Sequence, residues 1–265
     1  MIKDPNGNRI PKLFSIDNPK SIKSQKYGFL NAILYMHPHI SYKNKNVCPN
    51  ATKGCIALCL GTESGQASMR KENEDNNVTL SRKYKTRLFF EHRTWFLNEI
   101  VRQIKKVEIK AEKNNLKTCI RLNGSSDLSF EKIKFLYEGK LKTILEIFPH
   151  IQFVDYTKNI NRIFNKPKNL DLTFSRSESN WHECLIALKN KINVAIVIKN
   201  LKPFKLFGFD CVNGDLHDLR FLDKKGCIVT LSPKGSKAKK SQNGFIITPT
   251  LTMLACISYR SLDHE

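Results

Sequence analysis

Three cysteines fall within twelve residues, Cys48, Cys55 and Cys59, in the segment CPNATKGCIALC with spacing C-x6-C-x3-C. Thiolates are soft ligands and hold iron–sulfur clusters or zinc. Cys55 and Cys59 are four residues apart, so one helical turn places them on a shared face. Pro49 and Gly54 suit a loop that bends back to bring in Cys48. Three ligands from one loop leave a fourth position open or supplied from elsewhere. In one reading the loop holds a 4Fe–4S cluster whose fourth iron is free for substrate or cofactor. In a second it holds zinc, with His37 or His39 completing three cysteines and one histidine. In a third the thiols pack as small hydrophobes without metal. The spacing matches neither the C-x2-C pair of zinc ribbons nor a ferredoxin run. Cys119, Cys184, Cys227 and Cys256 lie in strand or helix patterns and read as core, whereas Cys211, beside Asn213 and Asp215, is a candidate distal ligand.

A loop of this kind needs elements to aim it. YGFLNAILYM (27–36) reads as a buried strand that stops at His37-Pro38-His39, because proline cannot continue a central ladder. The cysteine segment follows, and then a helical pattern over about 80–114, with Leu88, Phe89, Trp95, Phe96, Ile100, Ile104 and Val107 at three- and four-residue steps. Beyond it, strands are expected at 117–122, 151–156, 170–175, 192–198 and 226–232. Helices are expected over 129–147, 158–165, 179–190 and 249–258. This alternation implies parallel strands with crossover helices, hence an α/β fold. The expected form is a partial or complete β/α barrel-like domain, with an open doubly wound sheet as the alternative. The whole chain reads as a single β/α domain, with 1–26 an N-terminal extension and 233–244 a basic loop.

Polar clusters sit where these strands end. They are RLNGSSD (121–127), DYTKN (155–159), SRSESN (175–180), NGDLHDLRF (213–221) and SPKG (232–235). Parallel strands put such ends on one face, and that face carries the site in β/α proteins. The clusters are therefore expected to converge with the cysteines. Each one alone is also ordinary turn and cap chemistry.

The 265-residue chain carries 45 Lys+Arg against 24 Asp+Glu, a net charge of +21. Such a field attracts polyanions, so DNA or RNA is a candidate partner. Lys, Asn and Ile are abundant together, as an AT-rich coding sequence would also produce. In the basic loop, Lys234, Lys237, Lys239 and Lys240 are candidate nucleic-acid contacts. There is no apolar run of about 18 residues, so no membrane span is expected. The N-terminus lacks a signal-peptide pattern. The expected location is a reducing cytoplasm, the host's if the protein is viral, where eight cysteines read as ligands or core thiols.

The motifs NVCPNATKGCIALCL, YKTRLFF, RLNGSSDLSFE, VDYTKN, VNGDLHDLRFLD and LSPKG, spread over about 27–235, resemble the phage gene-product-88 family. That resemblance implies a viral origin more readily than a reaction. A second resemblance is architectural. Radical S-adenosylmethionine enzymes also place three cysteines after the first strand of a partial β/α barrel, and their open iron chelates the amino and carboxylate groups of S-adenosylmethionine. Their usual spacing is C-x3-C-x2-C, from which this chain departs.

The cluster reading makes Cys48, Cys55 and Cys59 the metal ligands of an iron–sulfur enzyme. Asn123, Ser125, Asp127 and Tyr156 become candidate cofactor contacts. Lys158, Arg176, Glu178, Asp215, Asp218 and Arg220 become candidates for substrate binding or acid–base work. Two alternatives come from other classes. One is a zinc-stabilised, non-catalytic nucleic-acid-binding protein. The other is a nuclease holding Mg²⁺ through Asp127, Asp155, Asp215 and Asp218. Neither substrate nor oligomeric state is encoded in a readable pattern.

Overall fold

The computed structural model describes residues 3–69, 74–199, 203–250 and 253. The chain begins with β1 (Phe14–Ser15), α1 (Pro19–Gln25) and β2 (Phe29–Leu34). A small hairpin, β3 (Ile40–Tyr42) and β4 (Lys45–Asn46), and the short helix α2 (Lys53–Ala57) follow. Helices α3 (Asn77–Glu91) and α4 (Arg93–Lys113) lead to β5 (Lys117–Arg121). A second hairpin, β6 (Phe135–Tyr137) and β7 (Lys140–Lys142), and α5 (Ile144–Ile147) precede β8 (Gln152–Thr157). Then come α6 (Ile160–Phe164), β9 (Leu170–Ser175), α7 (Trp181–Lys189) and β10 (Val194–Val197). The last elements are β11 (Lys205–Leu206), β12 (Phe209–Asn213), β13 (Ile228–Leu231) and α8 (Ser236–Lys240).

Nine strands form one sheet in the order β1-β2-β5-β8-β9-β10-β13-β12-β11. Every ladder from β2 to β12 is parallel, and only the outermost pairs β1/β2 and β11/β12 are antiparallel. From β2 to β10 the strands lie side by side in chain order. Right-handed crossovers in such an order all fall on one face. Alternation along β2 shows the consequence. Leu30, Ala32 and Leu34 join the main apolar core, while Phe29 points the other way, to Cys119, Val154, Leu219 and Phe221. On the first face α4 packs against β2 and β5, burying Phe96, Ile100, Ile104 and Val107 at helical spacing. Each such side chain contributes roughly 1.5–3 kcal/mol by leaving water. The second face is covered by α1 and the 214–222 segment, through Tyr27 against His217 and Phe29 against Phe221. Residues 3–26 thus supply an edge strand and a covering helix.

Four expectations need correction. The sheet does not close into a complete barrel among the described residues. Closure would require the edge strands β1 and β11 to pair, but β1 pairs only with β2 and β11 only with β12. The single helix over 80–114 is two helices, broken at His92, whose φ of −130° and ψ of 53° leave the helical region. The helix over 129–147 is instead a 3₁₀ turn (Phe130–Lys132), the β6/β7 hairpin and short α5. Glu138 and Gly139 both have positive φ, 48° and 76°, as a two-residue hairpin turn requires. Within 233–244 the chain forms α8 rather than loop throughout. The helix expected over 249–258, with Cys256, falls largely outside the described residues.

Candidate functional site

A cavity of about 270 Å³ opens at the C-terminal ends of the parallel strands. Cys48, Cys55 and Cys59 line it. So do Asn123 to Asp127 after β5, Tyr156 to Lys158 at the end of β8, and Ser175 and Arg176 at the end of β9. Asp215 after β12 and Ser232 to Lys234 after β13 complete the ring of strand ends. The cysteine loop and the five polar clusters picked out by their position after strands thus contribute to one cavity.

The cysteine loop is held by backbone and by one carboxylate. The Thr52 hydroxyl accepts from Cys55 N at 3.3 Å, capping α2, and donates to Glu178 Oε2 at 2.9 Å. Glu178 Oε1 accepts from Gly54 N at 2.8 Å. Any Cβ at Gly54 would lie 2.7 Å from Glu178 Oε2, so the bracing carboxylate needs glycine there. Glu178, a candidate acid–base residue, therefore braces the loop and does not line the cavity. Gly61 is equally constrained, since a Cβ would come within 2.8 Å of Pro38 Cγ.

Two backbone amides aim at sulfur: His39 N donates to Cys48 Sγ and Gly61 N to Cys59 Sγ, each at 3.4 Å. Such donors favour thiolates and tune thiolate-held clusters. Burial opposes them, pushing the Cys48 thiol up to about 12 and Cys59 upward. A cation is what a buried thiolate would need. The donor set therefore fits a soft metal. Among the described residues, however, no three His, Cys, Asp or Glu side chains are drawn together as a formed metal site. Neither imidazole proposed as a fourth ligand, His37 or His39, lines the cavity. Cys211 lies on β12 away from it, and Cys119, Cys184 and Cys227 are buried as expected.

The remaining candidates separate into wall and support. Asn123 is buried and fully used. Its amide donates to Leu128 O at 2.9 Å and Asp155 Oδ2 at 2.6 Å, and its carbonyl accepts from Ser126 Oγ at 2.7 Å and Leu128 N at 2.9 Å. Ser125 Oγ donates to Met36 O at 2.5 Å. Asp127 accepts from Lys158 N at 2.9 Å and pairs with Arg162 at 2.8 Å. Arg176 Nη1 donates to Gly244 O at 2.7 Å and Phe245 O at 2.9 Å, fixing the segment that roofs the cavity. The Lys158 ammonium lies 5.6 Å from the Phe245 ring. Arg220 is fully buried against His217 O and Asp223, outside the cavity.

Asp218 lies beneath the cavity, 1% exposed, and pairs with Lys20 at 2.6 Å and Arg121 at 3.1 Å. Burial alone would raise its carboxyl, but Lys20, Arg121 and Arg220 outweigh it and hold it near 2. With Asp127 on Arg162, Asp215 on Lys234 at 3.2 Å and Asp155 3.9 Å from Arg121 Nε, all four aspartates in the nuclease reading already answer a cation. Asp155 is also buried on Asn123. In the basic segment, Lys234 pairs with Asp215, and Lys237 pairs with Glu63 at 3.0 Å. Lys239 and Lys240 sit on α8, whose Ala238 lines the cavity.

Sequence reading missed Lys20 and Arg162, and it did not connect Glu178 to Gly54. No local pattern marks Lys20, because α1 and the 214–222 segment meet only through the fold. No helix among the described residues is long and apolar enough to cross a membrane.

Residues 12–249 match the family model described as Gene product 88, and the chain belongs to that family, as the motifs implied. No curated protein and no solved structure matches the chain.

Proposed function

We propose that the chain is an enzyme whose cysteine loop holds a 4Fe–4S cluster through Cys48, Cys55 and Cys59, with one iron open to a ligand in the cavity. One observation carries this reading. Of the seven described cysteines, the three of the loop line the cavity at the strand ends and the other four do not. The amides of His39 and Gly61 directed at two of the sulfurs support it. The finer proposal is radical S-adenosylmethionine-like chemistry. Its support is order along the chain: the loop follows β2, the first parallel strand, and the cavity lies at the strand ends.

A bound cluster of this type would supply one electron to a ligand at its open iron. The chain's own residues do the rest. Glu178 fixes the loop from β9's end. Phe245 and Ile246 pack with Leu58, Val197 and Ala238 to keep water from the roof. Tyr156 and Lys158 present polar groups from the end of β8. The cavity is small beside typical ligand sites of roughly 300–1,000 Å³, which favours a metabolite over a stretch of polymer as the reacting molecule. Nucleic acid remains a proposed partner of the outer surface, supported by the net charge of +21.

The test is iron, sulfide and zinc content of protein purified without oxygen. About four irons per chain with matching sulfide are expected. One zinc without iron would make the loop a structural staple and favour the non-catalytic nucleic-acid reading. Neither metal would remove both.

A further inference from the structure

We infer that the sheet side of this cavity is an anion subsite, in which Arg121 and Lys20, held in place by Asp218 and Tyr156, receive a phosphate or carboxylate group of the substrate. The inference rests on the reading of the cavity as the reaction site, but its argument uses these side chains and not the cluster.

The charges lining the cavity do not balance. Its acidic residues, Asp127 and Asp215, are already paired with Arg162 and Lys234. Lys20, Arg121, Lys158 and Arg176 also line it, and behind them the buried carboxylate of Asp218 pairs with Lys20 and Arg121, whose Nε also lies 3.9 Å from Asp155. Of the charged side chains on the cavity surface five are thus cationic, Lys20, Arg121, Lys158, Arg176 and Lys234, and two acidic. A ligand carrying anionic oxygen is the chemistry that balances them.

Arg121 is held as a receptor would be. Its Nε donates to Asn123 O at 3.2 Å, its Nη1 to Asp218 Oδ2 at 3.1 Å, and its plane lies 4.6 Å from the Tyr156 ring centroid. Three constraints fix the guanidinium, and its Nη2 has no hydrogen-bond partner among the described residues. Lys20 Nζ spends one donor on Asp218 at 2.6 Å and a longer one, 3.4 Å, on Gly214 O, leaving a third. The Tyr156 hydroxyl donates to the same carboxylate at 3.4 Å and so braces it. Asp218 thus acts as a positioning residue that gathers two cations and a hydroxyl at the ends of β5 and β8. A preorganised guanidinium with an adjacent ammonium is suited to an oxyanion. An anion seated there places the rest of its molecule between the sheet and the cysteine loop.

The experiment is titration of the full chain, as purified, with inorganic phosphate, adenosine 5′-monophosphate and succinate at constant ionic strength, read by calorimetry and by the rise in melting temperature. Saturable binding of a phosphate or carboxylate probe is expected, and the tighter class names the group. Arg121→Gln should weaken it about tenfold or more, as loss of a charge-assisted contact does. Tyr156→Phe, which removes only a hydroxyl, should weaken it a few-fold and guards against a folding defect in the first variant. Lys106→Gln, on α4, should leave it unchanged. No saturable binding by the unmodified chain, or equal weakening by Lys106→Gln and Arg121→Gln, overturns the subsite. Binding in a chain found to lack iron would sustain the subsite and sink the cluster. Iron without anion binding would do the reverse.

Discussion

The two faces of the sheet are built from the same strands and differ in kind. The face under α4 and α7 is a continuous apolar core, running from Leu13 and Phe96 to Leu188 and Ile228. The face under α1 and the 214–222 segment has a small apolar patch around Cys119, Val154 and Leu219, and then becomes ionic, with Asp218, Lys20, Arg121 and Tyr156. Side-chain alternation makes this possible, since Ile120 and Arg121 are neighbours in β5 that point to opposite faces. One face is specialised for stability, and the other trades apolar burial for fixed charges beside the cavity.

The sharpest way to break that comparison is to damage each face once. Phe96→Ala, in the apolar face, should cost about 3–5 kcal/mol. Asp218→Asn should cost a similar amount, about 3–5 kcal/mol, because it leaves buried cations unanswered. The two differ with pH. The Asp218 carboxyl is held near 2 against an ordinary 3.8, so its contribution is present above the ordinary value and is lost as pH falls through about 2. Denaturant unfolding from pH 7 to pH 2 should show the cost of Asp218→Asn shrinking in acid while that of Phe96→Ala persists. Parallel curves would mean that the ionic face contributes no pH-dependent stability.

A smaller effect is expected at the brace. Glu178→Ala leaves Gly54 N and the Thr52 hydroxyl without their acceptor, at about 1–3 kcal/mol. It should also speed proteolysis between Thr52 and Gly65 and lower metal retention, with partial rescue by Glu178→Gln. Unchanged proteolysis would remove the bracing role. The cysteines then divide by face. Cys55→Ala should abolish iron binding and lose the stabilisation a bound cluster gives, while Cys184→Ala, in the apolar core, should destabilise by about 1 kcal/mol and keep the iron. The smallest stability effect is expected at the rim. Replacing Lys237, Lys239 and Lys240 with Ala should shift stability by no more than about 0.5 kcal/mol. It should flatten the salt dependence of any nucleic-acid binding, and an unchanged slope would assign the charge to composition.

Much of this was legible in the sequence because it is local. The runs at β2, β5, β8, β9, β10 and β13 are apolar and bounded by polar turns, so their positions and the convergence of their ends could be read directly. The break at His92 carries no proline or glycine to announce it. The β6/β7 hairpin was hidden by apolar residues at helical spacing, although Glu138-Gly139 carries its turn chemistry. The roles of Asn123, Glu178 and Asp218 were not legible, because their partners lie far along the chain: Asp155, Gly54 and Lys20. Sequence places a polar residue at a strand end, and only the packed sheet decides whether it faces the cavity or supports the wall.

The central claim is that the loop cysteines, and not the core cysteines, hold an iron–sulfur cluster. Its most direct test is iron and sulfide content, measured without oxygen, for three proteins. These are the unmodified chain, one with Cys48, Cys55 and Cys59 replaced by alanine, and one with Cys119, Cys184, Cys211 and Cys227 replaced by serine or alanine. The account expects about four irons with sulfide in the first and third proteins and none in the second. Iron that survives loss of the three loop cysteines, or an unmodified chain holding only zinc, would contradict it.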